Sequence, residues 1–386
     1  MRVAVLGVSQ LSDSYPNVIY KIEALQRLYG DDVCVDVRSN GGERFSAGPG
    51  RGFGARFGSM CRFLLGHAGL LLHWLPRVRS FDRVYVVYPG IFVVLGLLVL
   101  PRSWRAPIVL DAFISLYDTV VNDRRLLRRD SLLARLLYRF ERRAFSGSTR
   151  VIVDTEENKQ FYAGLFCLSA DKFASVPLSV PALQPVLKPA GPTLNCLFIG
   201  TFVPLQGVPV LAEVAALLQD RDDIKLTVVG TGQDAGVFRS AIEHVSHERL
   251  CWIEGHLPTE KLVALLEETD VCLGIFGSTA KTARVLPFKI YYYLASGKPV
   301  VTAGTDCLQR LENLAPDRSP FVLTDRDAAS VAAALQKLAD DKATVSAKAV
   351  WAREFYARFL STEAVDDALN ALMEKSVGAR TGKRVN

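Results

Sequence analysis

The sequence predicts two doubly wound α/β domains with parallel sheets, and three observations carry that prediction. Twelve short apolar runs rich in Val, Ile and Leu recur along the 386 residues, separated by stretches of helical periodicity. Near-continuous apolar strands alternating with helices mean parallel strands covered on both faces. The runs form two sets of six, divided by PALQPVLKPAGPT (181–193), which holds four prolines and one glycine and has no periodicity. A break of that composition reads as a linker, and the chain length suits two domains of ordinary size.

The first six strands are expected at VAVLGV (3–8), VCVDV (33–37), VYVVY (84–88), IVLDAF (108–113), VIVD (151–154) and FASVPL (173–178). Residues 84–100 hold 17 positions without a charge, close to the length of a membrane span. Tyr88-Pro89-Gly90 divides this stretch, because Pro–Gly marks a turn, so a buried strand followed by a buried helix is expected instead. A Gly/Arg-rich loop covers 40–58. Residues 55–81 then interleave apolar side chains with Arg56, Arg62, Arg77 and Arg79.

The second six strands are expected at LNCLFIG (194–200), IKLTVVG (224–230), LCWIEG (250–255), VCLGIF (271–276), PVVTA (299–303) and PFVLTD (320–325). Residues 350–375 read as two helices, broken and re-capped at Ser361-Thr362-Glu363. The predicted layout is a first domain over 1–180, the linker, a second domain over 194–350, terminal helices over 351–376 and a disordered basic tail at 377–386. Open parallel sheets bind ligands beyond the carboxyl ends of their strands, so the two domains are expected to face a cleft.

Composition narrows the function classes. Hydrophobic residues make up 49% and charged residues 22%, a globular balance. A net charge of +6 suits phosphorylated substrates or an anionic membrane surface and is too weak to argue for nucleic acid. The seven cysteines stand far apart, without a CxxC pair. Cys34, Cys196, Cys251 and Cys272 fall in or beside strand runs and read as reduced core residues, which points to the cytoplasm. The five histidines show no ligand spacing, and no Asp-x-Asp pair sits in a suitable loop, so no metal is expected. The first apolar run is too short for a secretory signal.

The most informative stretch is VCLGIFGSTAKTARVLPFKIYYYLASGKPVVTA (271–303). It reads as a buried strand, a loop with Gly277, Lys281 and Arg284, a helix opening near Pro287 and ending at Gly297, and a second buried strand. A strand-to-helix loop collects unpaired N–H groups and the positive end of the helix dipole. With Lys281, Arg284 and Lys289 added, the loop is shaped for an anion such as a phosphate or diphosphate. A solvated basic loop is the alternative for any such segment alone.

This stretch resembles the donor-binding region of bacterial retaining glycosyltransferases of the GT-B fold, the large group called family 4. The matching positions are Pro287, Lys289, Leu294, Ala295, Gly297, Lys298, Pro299 and Val300. LFIGTFVPLQGVPVL (197–211) is similar to the first strand and glycine-rich turn of that donor domain. DAFISLYDTVVNDRR (111–125) and VIVDTEENKQFY (151–162) resemble acceptor-domain segments of a cell-envelope subgroup. The resemblance implies two Rossmann-like domains in a GT-B arrangement, a terminal helix crossing back to the first domain, and a nucleotide-diphosphate sugar as co-substrate with no other cofactor. It places donor contacts on Gly200, Thr201, Gln206, Gly207, Gly230, Gly232, Gly277, Lys281 and Tyr292, with Gly255 and His256 beside the base. Lys289 and Arg284 would neutralise the departing diphosphate. The sequence departs from the family at Arg284 and Tyr292, where many members have glutamates, at Gln206, where lysine is usual, and at Phe288, where asparagine is common.

On the acceptor side the candidates are Tyr15, Asn17, Asp111, Ser115, Asp118, Asp123 and Arg124, with Asp118 as the catalytic candidate. Carboxylates at a strand's carboxyl end orient or deprotonate a sugar hydroxyl, while helix capping is the competing role for Asp118 and Asp123. Thr155 reads as a cap. Arg56, Arg62, Arg77 and Arg79 beside Phe63, Leu70 and Trp74 are expected to form a basic surface for anionic lipid; packing on the first sheet is the competing reading. Together these features point to a cytoplasmic glycosyltransferase at the inner face of the cell membrane, with a cell-envelope saccharide or lipid-linked acceptor and no nucleic-acid partner. A catalytically impaired homologue acting as a binding or scaffold protein is the alternative from a different class. A sugar epimerase of the same fold would need a carboxylate pair near the anomeric carbon, which is not evident.

Overall fold

The computed structural model describes residues 1–9, 17–39, 53–178, 180 and 191–375, and the side chains of all of these except 53–62 and 259. Tyr15, most of the Gly/Arg-rich loop, the side chains of Arg56 and Arg62, the proline-rich segment 181–190 and the tail from 376 lie outside the described residues. The chain divides into two compact units, one of Met1–Ser179 with the stretch from Val365 onward, the other of Val180–Ala364.

Unit 1 contains strands β1 (Val3–Ser9), β2 (Val33–Ser39), β3 (Arg83–Val86), β4 (Ile108–Phe113), β5 (Arg150–Val153) and β6 (Phe173–Ser175). They form one sheet in the order β2-β1-β3-β4-β5-β6, every pair parallel. Its helices are α1 (Asn17–Tyr29), α2 (Phe53–Trp74), α3 (Ile91–Leu97), α4 (Leu132–Gly147) and α5 (Glu156–Leu165). The apolar run 84–100 is split between β3 and α3 as expected, and no helix among the described residues is long and apolar enough to cross a membrane. One core joins α2, α3, α4 and α5 to the sheet through Leu70, Trp74, Val94, Phe145 and Tyr162, and a second includes Val18, Leu25, Leu369 and Met373.

Unit 2 contains β7 (Leu194–Ile199), β8 (Ile224–Val229), β9 (Leu250–Ile253), β10 (Val271–Leu273), β11 (Val300–Ala303) and β12 (Phe321–Thr324). The order is β12-β11-β10-β7-β8-β9, again all parallel. Its helices are α6 (Val208–Leu217), α7 (Ala235–Ala241), α8 (Thr259–Glu268), α9 (Phe288–Ala295), α10 (Asp306–Glu312), α11 (Ala328–Asp340) and α12 (Lys342–Phe355). After α12 a π-helical turn (Tyr356–Leu360) leads to extended Ser361, and α13 (Thr362–Lys375) follows. From Val365 onward α13 belongs to unit 1, where Tyr29 Oη donates to Asn370 Oδ1 (2.7 Å) and Arg27 clamps Asp366 at 2.8 and 2.9 Å.

Two expectations are corrected here. Leu70 and Trp74 are buried, and Trp74 Nε1 donates to Asp36 Oδ2 at 2.8 Å. They sit on the stripe of α2 that faces the sheet, so they are not available to lipid. Phe63 is half-buried against His67 and Phe92. Cys34 and Cys251 are exposed, whereas Cys196, Cys272 and Cys307 are buried. The reason is topological, because Cys34 and Cys251 lie on β2 and β9, which occupy sheet edges.

Candidate functional site

Strand order locates the ligand side of each unit. In a doubly wound sheet the crevice opens where the order reverses, beyond the strand carboxyl ends. That point lies between β1 and β3 in unit 1 and between β7 and β10 in unit 2.

In unit 1, Asp111 is buried near the end of β4, accepting from Tyr85 Oη (2.8 Å) and from the Phe113 amide (3.1 Å). Burial raises its pKa, and the nearby Lys21 ammonium opposes that rise. Lys21 is itself buried, donates to the Pro177 carbonyl (3.0 Å) and has its pKa brought down to about 8 by burial. Asp118 opens a π-helical turn (Asp118–Asp123); it is buried and accepts from Asn122 Nδ2 at 2.9 Å. Ser115 is fully buried, with its hydroxyl donated to Glu141 Oε2 at 2.8 Å. The same carboxylate accepts from the amides of Leu116 and Tyr117, both at 2.8 Å. Ser115 therefore braces the loop instead of facing an acceptor. Glu141 organises this loop, and burial lifts its pKa to about 7 despite three hydrogen bonds. Sequence reasoning missed it, although it continues the buried stripe of Ala134, Ala144 and Phe145 on α4. Asn17 is buried at the start of α1, Asp123 is half-buried and Arg124 is exposed. Thr155 caps α5 by accepting from the Asn158 amide, as expected.

In unit 2, the turn after β7 and the loop after β10 meet. The Phe276 amide donates to the Gln206 carbonyl at 3.0 Å. Gly207 adopts a left-handed conformation (φ 66°), and a Cβ there would collide with the backbone of Phe276 and Gly277. A Cβ on Gly277 would in turn strike the carbonyls of Pro204 and Leu205. Gly230 and Gly232 lie against the backbone of Gly200 and Phe202 in the same way, and Phe202 bridges Gly232. These glycines let chain approach chain. Gly255 differs, having φ 109° and open space where a Cβ would stand. Its neighbour His256 is exposed, as is Thr201.

Lys289 lies in the first turn of α9 and points inward. Its Nζ sits 3.4 Å from the centroid of the Phe198 ring at the end of β7, is buried, and has no hydrogen-bond partner among the described residues. Burial drives its pKa well below 10.5. Gln206 Oε1 is another buried atom without a partner among the described residues. A Cβ on Gly200 would stand 3.3 Å from both this oxygen and Phe198 Cζ. Unpaired buried polar groups are rare and call for an explanation; here a donor and an acceptor gather at the switch point. Lys281 is buried in the same loop, while Arg284 and Tyr292 are half-buried.

Residues 193–341 match the family model of the group 1 glycosyl transferases. The chain has the GT-B fold, and solved structures align with nearly all of it. Sucrose-phosphate synthase from Thermosynechococcus elongatus is 15% identical, with 98% of this chain and 100% of that one covered and a TM-score of 0.69. Anabaena HepE, solved in complex with UDP, is 11% identical over 97% of this chain and 100% of that one, with a TM-score of 0.68. WaaG, a glycosyltransferase involved in lipopolysaccharide biosynthesis, is 16% identical over 99% of this chain and 100% of its own, with a TM-score of 0.60. At such identities the likeness is one of fold. A comparison with curated proteins gives no match.

Within the segment that matches the family model, the motif separates into parts. Gly297 (φ 67°) ends α9, with Arg353 filling the space a side chain would need. Lys298 Nζ donates to the Thr269 carbonyl at 2.6 Å, a tie at the end of α8. Tyr293, buried, accepts the Ile199 amide at 2.9 Å and fastens α9 to the end of β7. Lys298 and Tyr293 build the frame, leaving Lys289 as the buried ammonium of the motif without a partner.

Proposed function

We propose that the protein is a retaining glycosyltransferase that moves a sugar from a nucleotide-diphosphate donor to a cell-envelope saccharide or lipid-linked acceptor. The observation that carries this reading is the buried, unpartnered Lys289 ammonium at the β7–β10 switch point of a group 1 glycosyltransferase segment. Departure of a nucleoside diphosphate leaves negative charge on phosphate oxygens and an oxocarbenium-like sugar. A fixed cation in a water-poor site stabilises that charge without reorganising, which is where electrostatic catalysis is most effective. Lys289 supplies such a cation, with Lys281 and Arg284 contributing from the loop, so the charge is met without a metal. The acceptor hydroxyl enters from the face the diphosphate leaves. Asp118 and Asp111, near the end of β4, orient the acceptor. UDP-sugars and envelope acceptors are the first choices to test, because HepE was solved with UDP and WaaG acts in lipopolysaccharide biosynthesis.

A second reading, a nucleotide-binding homologue without turnover, is favoured by Arg284 and Tyr292 standing where many relatives carry glutamates and by neutral Gln206 in the donor turn. Calorimetric titration with nucleoside diphosphates, followed by a sugar-release assay, separates the two. Binding with turnover that falls about 10²–10³-fold in Arg284→Ala supports the enzyme. Binding without turnover of any nucleotide sugar supports the second reading, and absence of nucleotide binding overturns both.

A further inference from the structure

We propose that Glu141 is a positioning residue for the acceptor side: its negative charge grips the turn that follows β4 and so fixes where Asp118 stands. The inference rests on the acceptor role proposed for Asp118 and goes beyond it, since Glu141 is buried and acts through the turn. The chain leaves β4 under constraint. Its pairing with β5 shifts register between Asp111 and Phe113, and Phe113 takes a left-handed backbone (φ 49°). That conformation is costly for a residue with a side chain and persists only where surrounding contacts enforce it. The chain becomes helical at residues 116 and 117 and continues as the π-helical turn Asp118–Asp123.

A helix start leaves its first amides without intrahelical partners. Here side chains take them in order. The Ser115 amide donates to Tyr162 Oη on α5 at 3.1 Å. The Leu116 amide donates to Glu141 Oε1 and the Tyr117 amide to Glu141 Oε2, both at 2.8 Å. The Asp118 amide donates to Ser115 Oγ at 3.0 Å, and Ser115 passes its own hydroxyl hydrogen to Glu141 Oε2 at 2.8 Å. Glu141 thus stands where a helix start would bind an anion, and α4 holds that anion in place. The line of bonds continues beyond Asp118: its Oδ1 accepts from Asn122 Nδ2 (2.9 Å), and Asn122 Oδ1 accepts from Arg129 Nη2 (2.7 Å). Hydrogen bonds joined in series polarise one another, so the charge on Glu141 and the placement of Asp118 are tied.

All three partners of the carboxylate are donors, and two of them are amides that cannot reverse. The ionised form accepts all three. Protonation brings another hydrogen to a place where three already converge, so one contact breaks or the Ser115 hydroxyl turns round. Ile91, Leu110, Ala112 and Leu116 line the space beside the carboxylate. The ionisable groups around it are Asp118 and Tyr117 on the turn, Tyr162 on α5, Tyr88 after β3 and Tyr138 on α4, while Arg142 is engaged with the Phe166 carbonyl at 2.9 Å. Burial, with repulsion from Asp118 adding to it, brings the Glu141 pKa to about 7. The turn is therefore held above pH 7 and loosens as pH falls. Global stability moves the other way: the folded pKa lies above 4.5, so the group's contribution is full below 4.5 and lost as pH rises through 7. Order in the turn would follow stability if Glu141 merely supported the fold, and opposite signs mark a positioning role.

The test is amide hydrogen exchange of the full chain across pH 5 to 9, corrected for the intrinsic rate and run without nucleotide or sugar. In the wild type, protection of the amides at 116–118 should rise with pH by up to about tenfold per unit near 7, the slope of one linked proton. Glu141→Gln should lose both the protection and its pH dependence, and Glu141→Asp, which keeps the charge on a shorter arm, should restore the titration. Asp118→Asn removes the neighbouring like charge and should move the midpoint to lower pH. A flat wild-type profile, or a glutamine variant that matches the wild type, overturns the proposal. So does a midpoint that Asp118→Asn leaves in place, which would uncouple Glu141 from Asp118. Should the glutamine variant fail to fold, the wild-type titration and Asp118→Asn still decide. A second arm reads calorimetric titration with UDP and turnover of UDP-glucose. Glu141→Gln should bind UDP as wild type does while turnover falls and loses its inflection near pH 7; a parallel loss of UDP affinity overturns the proposal. A wild type that binds no nucleoside diphosphate overturns the glycosyltransferase reading, while the exchange profile still decides whether Glu141 holds the turn.

Discussion

Replacing Lys289 with methionine should make the protein more stable and less active. The substitution keeps an unbranched side chain of similar reach and removes the ammonium. In the wild type that group is buried, unpaired and 3.4 Å from the Phe198 centroid. Leaving a buried donor unsatisfied costs about 1–3 kcal/mol, with a charge at the upper end or beyond, while a desolvated cation–π contact returns about 2 kcal/mol. The net penalty at neutral pH is therefore on the order of 1 kcal/mol. Removing it should raise the melting temperature by about 2–4 °C for a unit of this size. The sign has a pH signature. Burial lowers the folded-state pKa below 10.5, so the unfolded chain holds the proton more tightly. The penalty is full below the folded pKa, and wild-type stability gains on the methionine variant as pH rises from there towards 10.5. Nucleotide-diphosphate affinity should fall about 10–100-fold, as for a lost charge-assisted hydrogen bond worth about 1.5–3 kcal/mol. Scanning calorimetry and isothermal titration measure the two effects. A methionine variant that melts lower and binds nucleotide diphosphate as well as wild type would refute the reasoning and make Lys289 a packing residue.

Further predictions concern both units. Glu141→Gln should flatten the pH dependence of stability: the folded pKa of about 7 lies above the ordinary 4.5, so wild-type stability from this group is full below 4.5 and lost as pH rises through 7. The loss amounts to about 3 kcal/mol, and melting curves from pH 4 to 8 should show the wild type falling relative to the variant. Asp118→Asn should cut turnover while nucleotide affinity, read by titration, stays at the wild-type level; a parallel loss of affinity would remove Asp118 from the acceptor side. Gly207→Ala should lower the urea midpoint, because a left-handed alanine costs about 1–2 kcal/mol and its Cβ overlaps the backbone of Phe276 and Gly277. An unchanged midpoint would show that the two loops part easily.

Much of the fold was legible because its signals are local. Each of the twelve apolar runs contains a strand, and the central ones, buried on both faces, are apolar at nearly every position. Tyr88-Pro89-Gly90, Thr155, Ser361 and Gly297 each mark an element boundary through their own backbone or side-chain chemistry. The candidate donor loops were also visible, because glycine and basic residues cluster where a strand gives way to a helix. What the tertiary structure alone decided depends on which strands become neighbours. Pairing β7 with β10 brings the loops after them together, which is why Gly207 must admit the backbone of Gly277 and why Lys289 ends over Phe198. Placing β2 and β9 at the edges exposes Cys34 and Cys251. On α2, periodicity shows an apolar stripe but not what covers it, and the sheet covers Leu70 and Trp74. On α4 the same ambiguity runs the other way: Glu141 lies on the buried side and Leu132 on the open one. Periodicity is set by bonds within one element, whereas burial is set by contacts between elements far apart in sequence, and those are settled only when the sheet closes its order.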